Sequence, residues 1–414
     1  MQGTPTGMQR IYYGWVIVAL SVVSLTASYG LLFSYGVFIP FLAEDLGLDR
    51  ATAAAPFSVS VAVYASLSLV TGRLTDRLGP RRIMLVGGGA LALGYATIGA
   101  ATEAWHLIVS MGLITGIGMS TAYIPTSATI VRWFVQRRGL ALALSGMGLS
   151  ASMAAGPLVA VQLIEGFGWR TALIVMGLLG GGLVFVCALG FRRDPDVSLT
   201  AAPNPQSAHL PDEPSWTLRE ARRTSAFWVL SGVFLLSWAV MFFPYAHLPS
   251  IAVDLGYSHG DAAGMLVALG GGGLVGRPLI GWFSDRTDRK MALALLIVIQ
   301  ILALAMLLVS QSLPALYAAA ALFGVGASAG VTLFPAVIGD TFGRAHVGAI
   351  SGFIFAITCT AGAIGPLAAG WVRDETGSYM DAFWIGIAVN GVAAALVLCL
   401  RPPTPPAVLA AARQ

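Results

Sequence analysis

Charge is scarce in this sequence. Aspartate, glutamate, lysine and arginine together make up 10% of its 414 residues, where an average soluble domain carries about 25%. A water-soluble globule of this size would lack its ionic surface, which excludes the soluble classes at the outset. Lysine occurs once, at Lys290. No glycine run is therefore followed by the lysine of a phosphate-binding loop, and nucleotide hydrolysis within the chain is excluded. Cysteine occurs three times, at Cys187, Cys359 and Cys399, far apart and each inside an apolar stretch. An odd number at such spacing supports neither a disulfide framework nor a metal site, and the expected role is that of small buried hydrophobes. No metal and no cofactor is expected.

What fills the chain instead is apolar: 57% of the residues are hydrophobic and the mean hydropathy is +0.80. Apolar stretches lie near 12–42, 52–75, 83–101, 105–131, 137–164, 169–191, 226–252, 261–283, 290–310, 313–339, 346–369 and 379–400. Each is long enough to cross about 30 Å of hydrocarbon as a helix. Twelve spans make this an all-α, multi-pass membrane protein. The first span is too long for a cleaved signal peptide and is followed by eleven of the same kind.

Lysine and arginine accumulate in cytoplasmic loops. With the N-terminus inside, nineteen of the 23 basic residues fall in cytoplasmic segments, and the outer loops hold only Arg50, Arg170 and Arg373. The bias predicts both termini inside, in the cytoplasmic (inner) membrane of a cell. The formal charge of +4 serves topology, not nucleic acid.

Residues 193–225 break the pattern with Pro195, Pro203, Pro205, Pro211 and Pro214 among polar residues. They read as a cytoplasmic linker between six-helix bundles at 1–192 and 226–414. Near its end Thr217 and Glu220 fit a capping box, and Trp216, Leu218 and Ala221 predict a short amphipathic helix on the membrane surface. On either side of the linker the chain repeats at an offset of about 209. GRLTDRLGPRR (Gly72–Arg82) answers GWFSDRTDRK (Gly281–Lys290), GIGMSTAYIP (Gly116–Pro125) answers GASAGVTLFP (Gly326–Pro335), and Gly156-Pro157-Leu158 answers Gly365-Pro366-Leu367. Parallel six-helix repeats about an axis along the membrane normal are the transporter arrangement in which substrate sits at the midplane between the halves.

One charge remains inside a span: Arg277, in GGGGLVGRPLIGWFSD. A guanidinium at that depth costs about 2.5–3.5 kcal/mol on insertion scales. None of the nineteen acids lies at depth in a span, and at helical neighbour positions Arg277 has Gly273, Leu274, Ile280 and Gly281. The missing anion is then the substrate, and a carboxylate suits the planar fork of the guanidinium. Arg277 could instead snorkel to the cytoplasmic surface or bond carbonyls freed by Pro278. Among weaker candidates, His247 is the one histidine within a span, either a proton site or a satisfied structural histidine. Tyr123 and Phe334 occupy nearly matching places in the two repeats, and Tyr29, Tyr64, Ser150, Thr358 and Cys359 are compatible with a cavity lining. Gly326-Ala-Ser328-Ala-Gly330 matches a nucleophile elbow, but within a continuous apolar helix it lacks the strand-to-helix turn. No enzyme is expected.

On the repeated loop motif, the YYGWVIV opening (12–18) and PTSATIVRWFVQRRGLALAL (125–144), the chain resembles the monocarboxylate transporter and oxalate:formate antiporter family of the major facilitator superfamily, its bacterial lactate carriers in particular. The resemblance implies a twelve-helix, alternating-access carrier. It also implies that Asp76 with Arg77, Arg81 and Arg82, and Asp285 with Arg286, latch the cytoplasmic ends in the outward-facing state. The span at 346–369 holds no lysine or arginine, unlike the oxalate members, so one negative charge per substrate is expected. The family's lysine in the first span and its acid four residues before the arginine are absent too, the latter replaced by Gly273. The expectation is a monomeric proton symporter of small monocarboxylates such as lactate or pyruvate, with a carboxylate exchanger as the alternative. Arg277, Tyr123, His247, Phe334, Cys359 and Tyr29 would form the substrate site, with His247 the candidate for the proton.

Overall fold

The computed structural model describes residues 12–193, 215–310, 312–401 and 403. Most of the linker, 194–214, thus lies outside the described residues, as do Arg10, His209 and Arg413. Twelve helices among the described residues are long and apolar enough to cross a membrane, and none of these residues forms a strand. They are α1 (Tyr13–Asp45), α2 (Arg50–Leu78), α3 (Pro80–Gly99), α4 (Ala104–Trp133), α5 (Arg138–Phe167) and α6 (Trp169–Leu189). After the linker follow α7 (Ser225–Asp254), α8 (His259–Ser284), α9 (Arg289–Val309), α10 (Leu313–Phe342), α11 (Val347–Thr376) and α12 (Met380–Cys399). All twelve expected spans are present.

Local chemistry sets the helix ends. Gly79 ends α2 with φ of 83°, open to glycine without strain, and Pro80 starts α3 where its missing N–H costs nothing. Asp49 caps α2 by accepting from the Thr52 amide at 2.6 Å, and Ser258 with Asp261 forms a capping box on α8. Within α4, Ile108–Thr115 winds as a π-helix. There the Thr115 hydroxyl donates to the Ser110 carbonyl at 3.0 Å, five residues back.

Small residues carry the helix packing, as lipid requires. Gly272 and Gly276 of α8 press on α10, and a Cβ at Gly276 would come within 2.7 Å of Val325 Cα. Gly88 and Gly181 do the same between α3 and α6. Large side chains such as Val86, Leu179, Val267 and Leu367 point outward into solvent-free territory and stay exposed. A soluble protein would not tolerate that belt.

The capping box of Thr217 and Glu220 forms, on a helix of one turn at Leu218–Ala221. Its apolar face does not lie on the membrane surface, contrary to expectation. Trp216, Leu218 and Ala221 are buried against the protein, where the Trp216 amide donates to the Phe342 carbonyl at 3.0 Å and its ring meets Phe342 edge-on. The segment is too short for its few apolar side chains to bury more area in lipid than in this ready-made groove.

Candidate functional site

Arg277 leaves α8 eight residues before Asp285, or about 12 Å of helix rise. Its side chain is 6% exposed, so it does not snorkel. Nε and Nη1 have no hydrogen-bond partner, so no carbonyl freed by Pro278 satisfies them. The guanidinium crosses the seam between the repeats and lies against α5, where a Cβ on Gly146 would stand 2.7 Å from Nη1. Leu25 of α1, Tyr123, Thr126 and Ser127 of α4, Ser145 of α5 and Thr332 of α10 complete a cavity of ≈ 10 Å³. That is room for about one water. The hydroxyls of Thr126, Ser127 and Ser145 donate back to their own helices. Among the described residues, no carboxylate lines the cavity.

Of the six expected substrate residues, Arg277 and Tyr123 share this cavity. The Tyr123 hydroxyl spans the halves to the Val331 carbonyl at 2.7 Å. Tyr29 and Cys359 adjoin Tyr123 and Tyr64 closely enough to interact electrostatically. Phe334 is set back: fully buried, it packs on Phe234 and Trp238 with ring centroids 4.8 and 5.8 Å away. It meets the site only through Phe355, whose ring contacts Tyr64, Tyr123 and Trp238. His247 is elsewhere. Its Nδ1 pairs with the Tyr379 hydroxyl and its Nε2 with the Pro366 carbonyl, each at 3.0 Å, where α7, α11 and the start of α12 meet. Both nitrogens are engaged. Sequence reasoning missed Tyr245, which lies within electrostatic range of Arg277, and Gly146. Glycine is common in membrane helices, and nothing in its spacing marks one that faces a cation.

Below the cavity, the arginine-rich ends of the halves are closed. Asp76 is 5% exposed. It accepts from Arg132 Nη2 at 2.7 Å and from the amides of Gly348 at 3.2 Å and Ala349 at 2.6 Å. It therefore caps α11 of the other half, where free N–H groups and the helix dipole favour an anion. Asp285 does the same to α5, accepting from Gly139 at 2.7 Å and Leu140 at 2.9 Å. Asp76 and Asp285, and Gly139 and Gly348, stand at one offset of 209. The repeat therefore builds a reciprocal gate, with Gly72 against Gly348 and Gly281 against Gly139. Arg132 extends it to the Ala345 carbonyl at 2.7 Å, and Asp340 holds Arg138 and Arg289.

The basic members of the expected latch need correction. Arg77, Arg81 and Arg82 are exposed and make no hydrogen bond or ion pair among the described residues, and Arg286 lies over the Trp282 ring at 3.9 Å. On a helix, the residue after one that faces a partner is turned by about 100°, so Arg77 and Arg286 point away from the seam that Asp76 and Asp285 face. The arginines that close it are Arg132, Arg138 and Arg289, which sequence reasoning assigned to topology alone.

A family model of the Major Facilitator Superfamily matches residues 18–313 and 272–414. The chain is 30% identical to monocarboxylate transporter 13 of Rattus norvegicus, over 90% of this chain and 85% of that one. It is also 30% identical to monocarboxylate transporter 11 of Homo sapiens, over 92% and 82%. The fold superposes on the fucose:proton symporter of E. coli with a TM-score of 0.72, at 16% identity over 95% of this chain and 100% of that one. For the human organic anion transporter MFSD10 the TM-score is 0.67, at 17% identity and the same coverage. Twelve spanning helices among the described residues, the match to the family model and these relatives together show that the chain belongs to the major facilitator superfamily, as a transporter related to the monocarboxylate transporters.

Proposed function

We propose that the protein is a proton-coupled carrier of small monocarboxylates of the lactate or pyruvate kind, working as a monomer by alternating access in the cytoplasmic membrane. One observation carries this: a guanidinium buried at the seam of the halves with Nε and Nη1 free. The guanidinium presents two parallel donor pairs, Nε with Nη2 and Nη1 with Nη2, and a carboxylate accepts both members of either pair at once; no group among the described residues hydrogen-bonds to any of the three nitrogens. The cavity lining offers one cation among the described residues, which favours one negative charge per substrate over a dicarboxylate. The cavity of ≈ 10 Å³ is too small for a three-carbon acid, so entry parts the Tyr123–Val331 contact, and release toward the arginine-rich side needs the gate to open.

The proton has no carboxylate to ride on in this lining, and the ring nitrogens of His247 are both engaged. Co-transport with the substrate's own carboxyl group fits best. It also avoids the work of moving an anion inward against about 2.3 kcal/mol per charge per 100 mV. An inward pH gradient across proteoliposomes should accelerate lactate uptake and accumulate it above equilibrium, in the wild type and in His247→Ala alike. Uptake that ignores the gradient but responds to preloaded anion would make the protein an exchanger; loss of accumulation in His247→Ala would return the proton to that histidine.

A further inference from the structure

Outside the gate, at the arginine-rich end, Arg73 of α2 and Arg219, Arg222 and Arg223 of the linker's end gather round a second pocket. With Leu218 and Trp228 they enclose ≈ 310 Å³, within the size range of ligand sites. All four arginines are exposed, and none forms an ion pair among the described residues. The nearest acid in sequence, Glu220, accepts from the Thr217 amide and hydroxyl at 2.8 and 2.7 Å, which ties its carboxylate to the cap. The walls are fixed. Arg222 lies 4.8 Å over the Phe353 ring, and its carbonyl accepts from Trp228 Nε1 at 3.0 Å.

Glu220 is near enough to Arg223 to offset it in part, but four like charges around one space still repel unless a further anion joins them. Their forked donors match phosphate oxygens, and the pocket sits where basic loops meet a leaflet that carries anionic lipid. Trp228, a half-exposed indole beside the charges, supplies the amphipathic edge found at headgroup depth. We propose that this pocket binds the phosphate of an anionic phospholipid headgroup. Arg73 belongs to the first half, whereas the other three belong to a segment docked on the second through Trp216 and Phe342. On the alternating-access reading above, the bound headgroup therefore clasps the halves and favours the closed gate.

The test is native mass spectrometry of the purified full chain mixed with phosphatidylglycerol or phosphatidylcholine. The wild type should retain phosphatidylglycerol in preference, and Arg73→Gln alone, like Arg219→Gln/Arg222→Gln/Arg223→Gln together, should weaken retention about tenfold. In liposomes, cysteine labelling at a Ser145→Cys site from the arginine-rich side should slow when phosphatidylglycerol is added, and in the wild-type pocket only. Equal retention in wild type and both variants, or equal retention of the two lipids, overturns the site. Slowing by inorganic phosphate in pure phosphatidylcholine overturns the lipid as its occupant. Retention needs no transport, so a protein that keeps phosphatidylglycerol yet fails to move lactate refutes the proposed function and not this pocket.

Discussion

Asp76→Asn keeps the side chain's volume and removes the charge on which the gate turns. All three partners of Asp76 are donors: Arg132, the Gly348 amide and the Ala349 amide. An asparagine has one acceptor atom and one donor group, so its NH2 must confront at least one of them. Removing one member of a buried ion pair costs about 3–5 kcal/mol. With one acceptor kept, a loss of about 3 kcal/mol is expected, or roughly a hundredfold in the ratio of closed to open gate. Asp285→Asn should do less, about tenfold, because Arg289 keeps Asp340 when Asp285 is gone. The readout is the labelling rate of Ser145→Cys in a cysteine-free background, with an impermeant maleimide applied from the arginine-rich side. Ser145 lines the Arg277 cavity and is 4% exposed in the closed state. An Asp76→Asn carrier that labels no faster than its parent, or an Asp285→Asn carrier that opens as far, would refute the account of the gate.

Arg277→Lys replaces two parallel donors by a point charge and should weaken lactate binding at least about tenfold in a thermal-shift titration, while the folded protein persists. Gly146→Ala places a methyl 2.7 Å from Nη1, where ordinary contacts begin at 3.4 Å; the guanidinium must retreat, so affinity should fall while the melting temperature holds, and unchanged affinity would show that the guanidinium does not bind from this pose. His346, in the loop before α11, sits below the usual histidine value because burial and the charge of Arg132 disfavour its cation, with Glu220 opposing and Arg193 adding. A base whose pKa is lowered in the closed state supports that state above its ordinary value near 6.5 and loses that support as the pH falls through it; Ser145→Cys labelling should rise on acidifying the arginine-rich side, and His346→Gln should flatten the rise.

The spans, the repeat and the one charge at depth in a span were legible because each rests on a signal that local sequence carries. Apolar length fixes a span, a motif recurring at one offset fixes a repeat, and an arginine amid glycine and leucine is conspicuous wherever the helix turns. The gate was half legible. Asp76 and Asp285 stand out by repetition, but their partners are backbone amides 272 and 146 residues away in the chain, and a peptide N–H has no letter. Arg132 and Arg77 look alike in sequence, and only the facing of two helices makes one a gate residue and leaves the other in water. For His247 the partners were illegible for the same reason. A lone histidine in a span invites a proton, whereas its satisfaction depends on a carbonyl at Pro366 and a hydroxyl at Tyr379 that meet it only in the fold.

The same absence that marks Arg277 as a binding group bears on how the carrier turns over. A guanidinium without a partner at this depth carries a penalty of about 2.5–3.5 kcal/mol on insertion scales, and the structure supplies no counter-ion within the described residues to remove it. On the proposed function, a carboxylate held by one fork of the guanidinium, Nε with Nη2 or Nη1 with Nη2, removes it, since the pair is neutral and two donors are used. The penalty therefore weighs on the empty carrier and not on the loaded one. The gate works against this from below: Asp76 and Asp285 stabilise the closed end whether or not Arg277 is occupied, because neither touches the cavity. Substrate can then drive the halves past one another only by lowering the barrier at the seam, where Gly146, Tyr123 and Val331 meet the guanidinium's surroundings, and not by loosening the ion pairs beneath. The packing of α5 on α8 holds both Gly146 against Arg277 and Gly139 against Asp285, so on the proposed alternating-access cycle it is the expected link between site and gate.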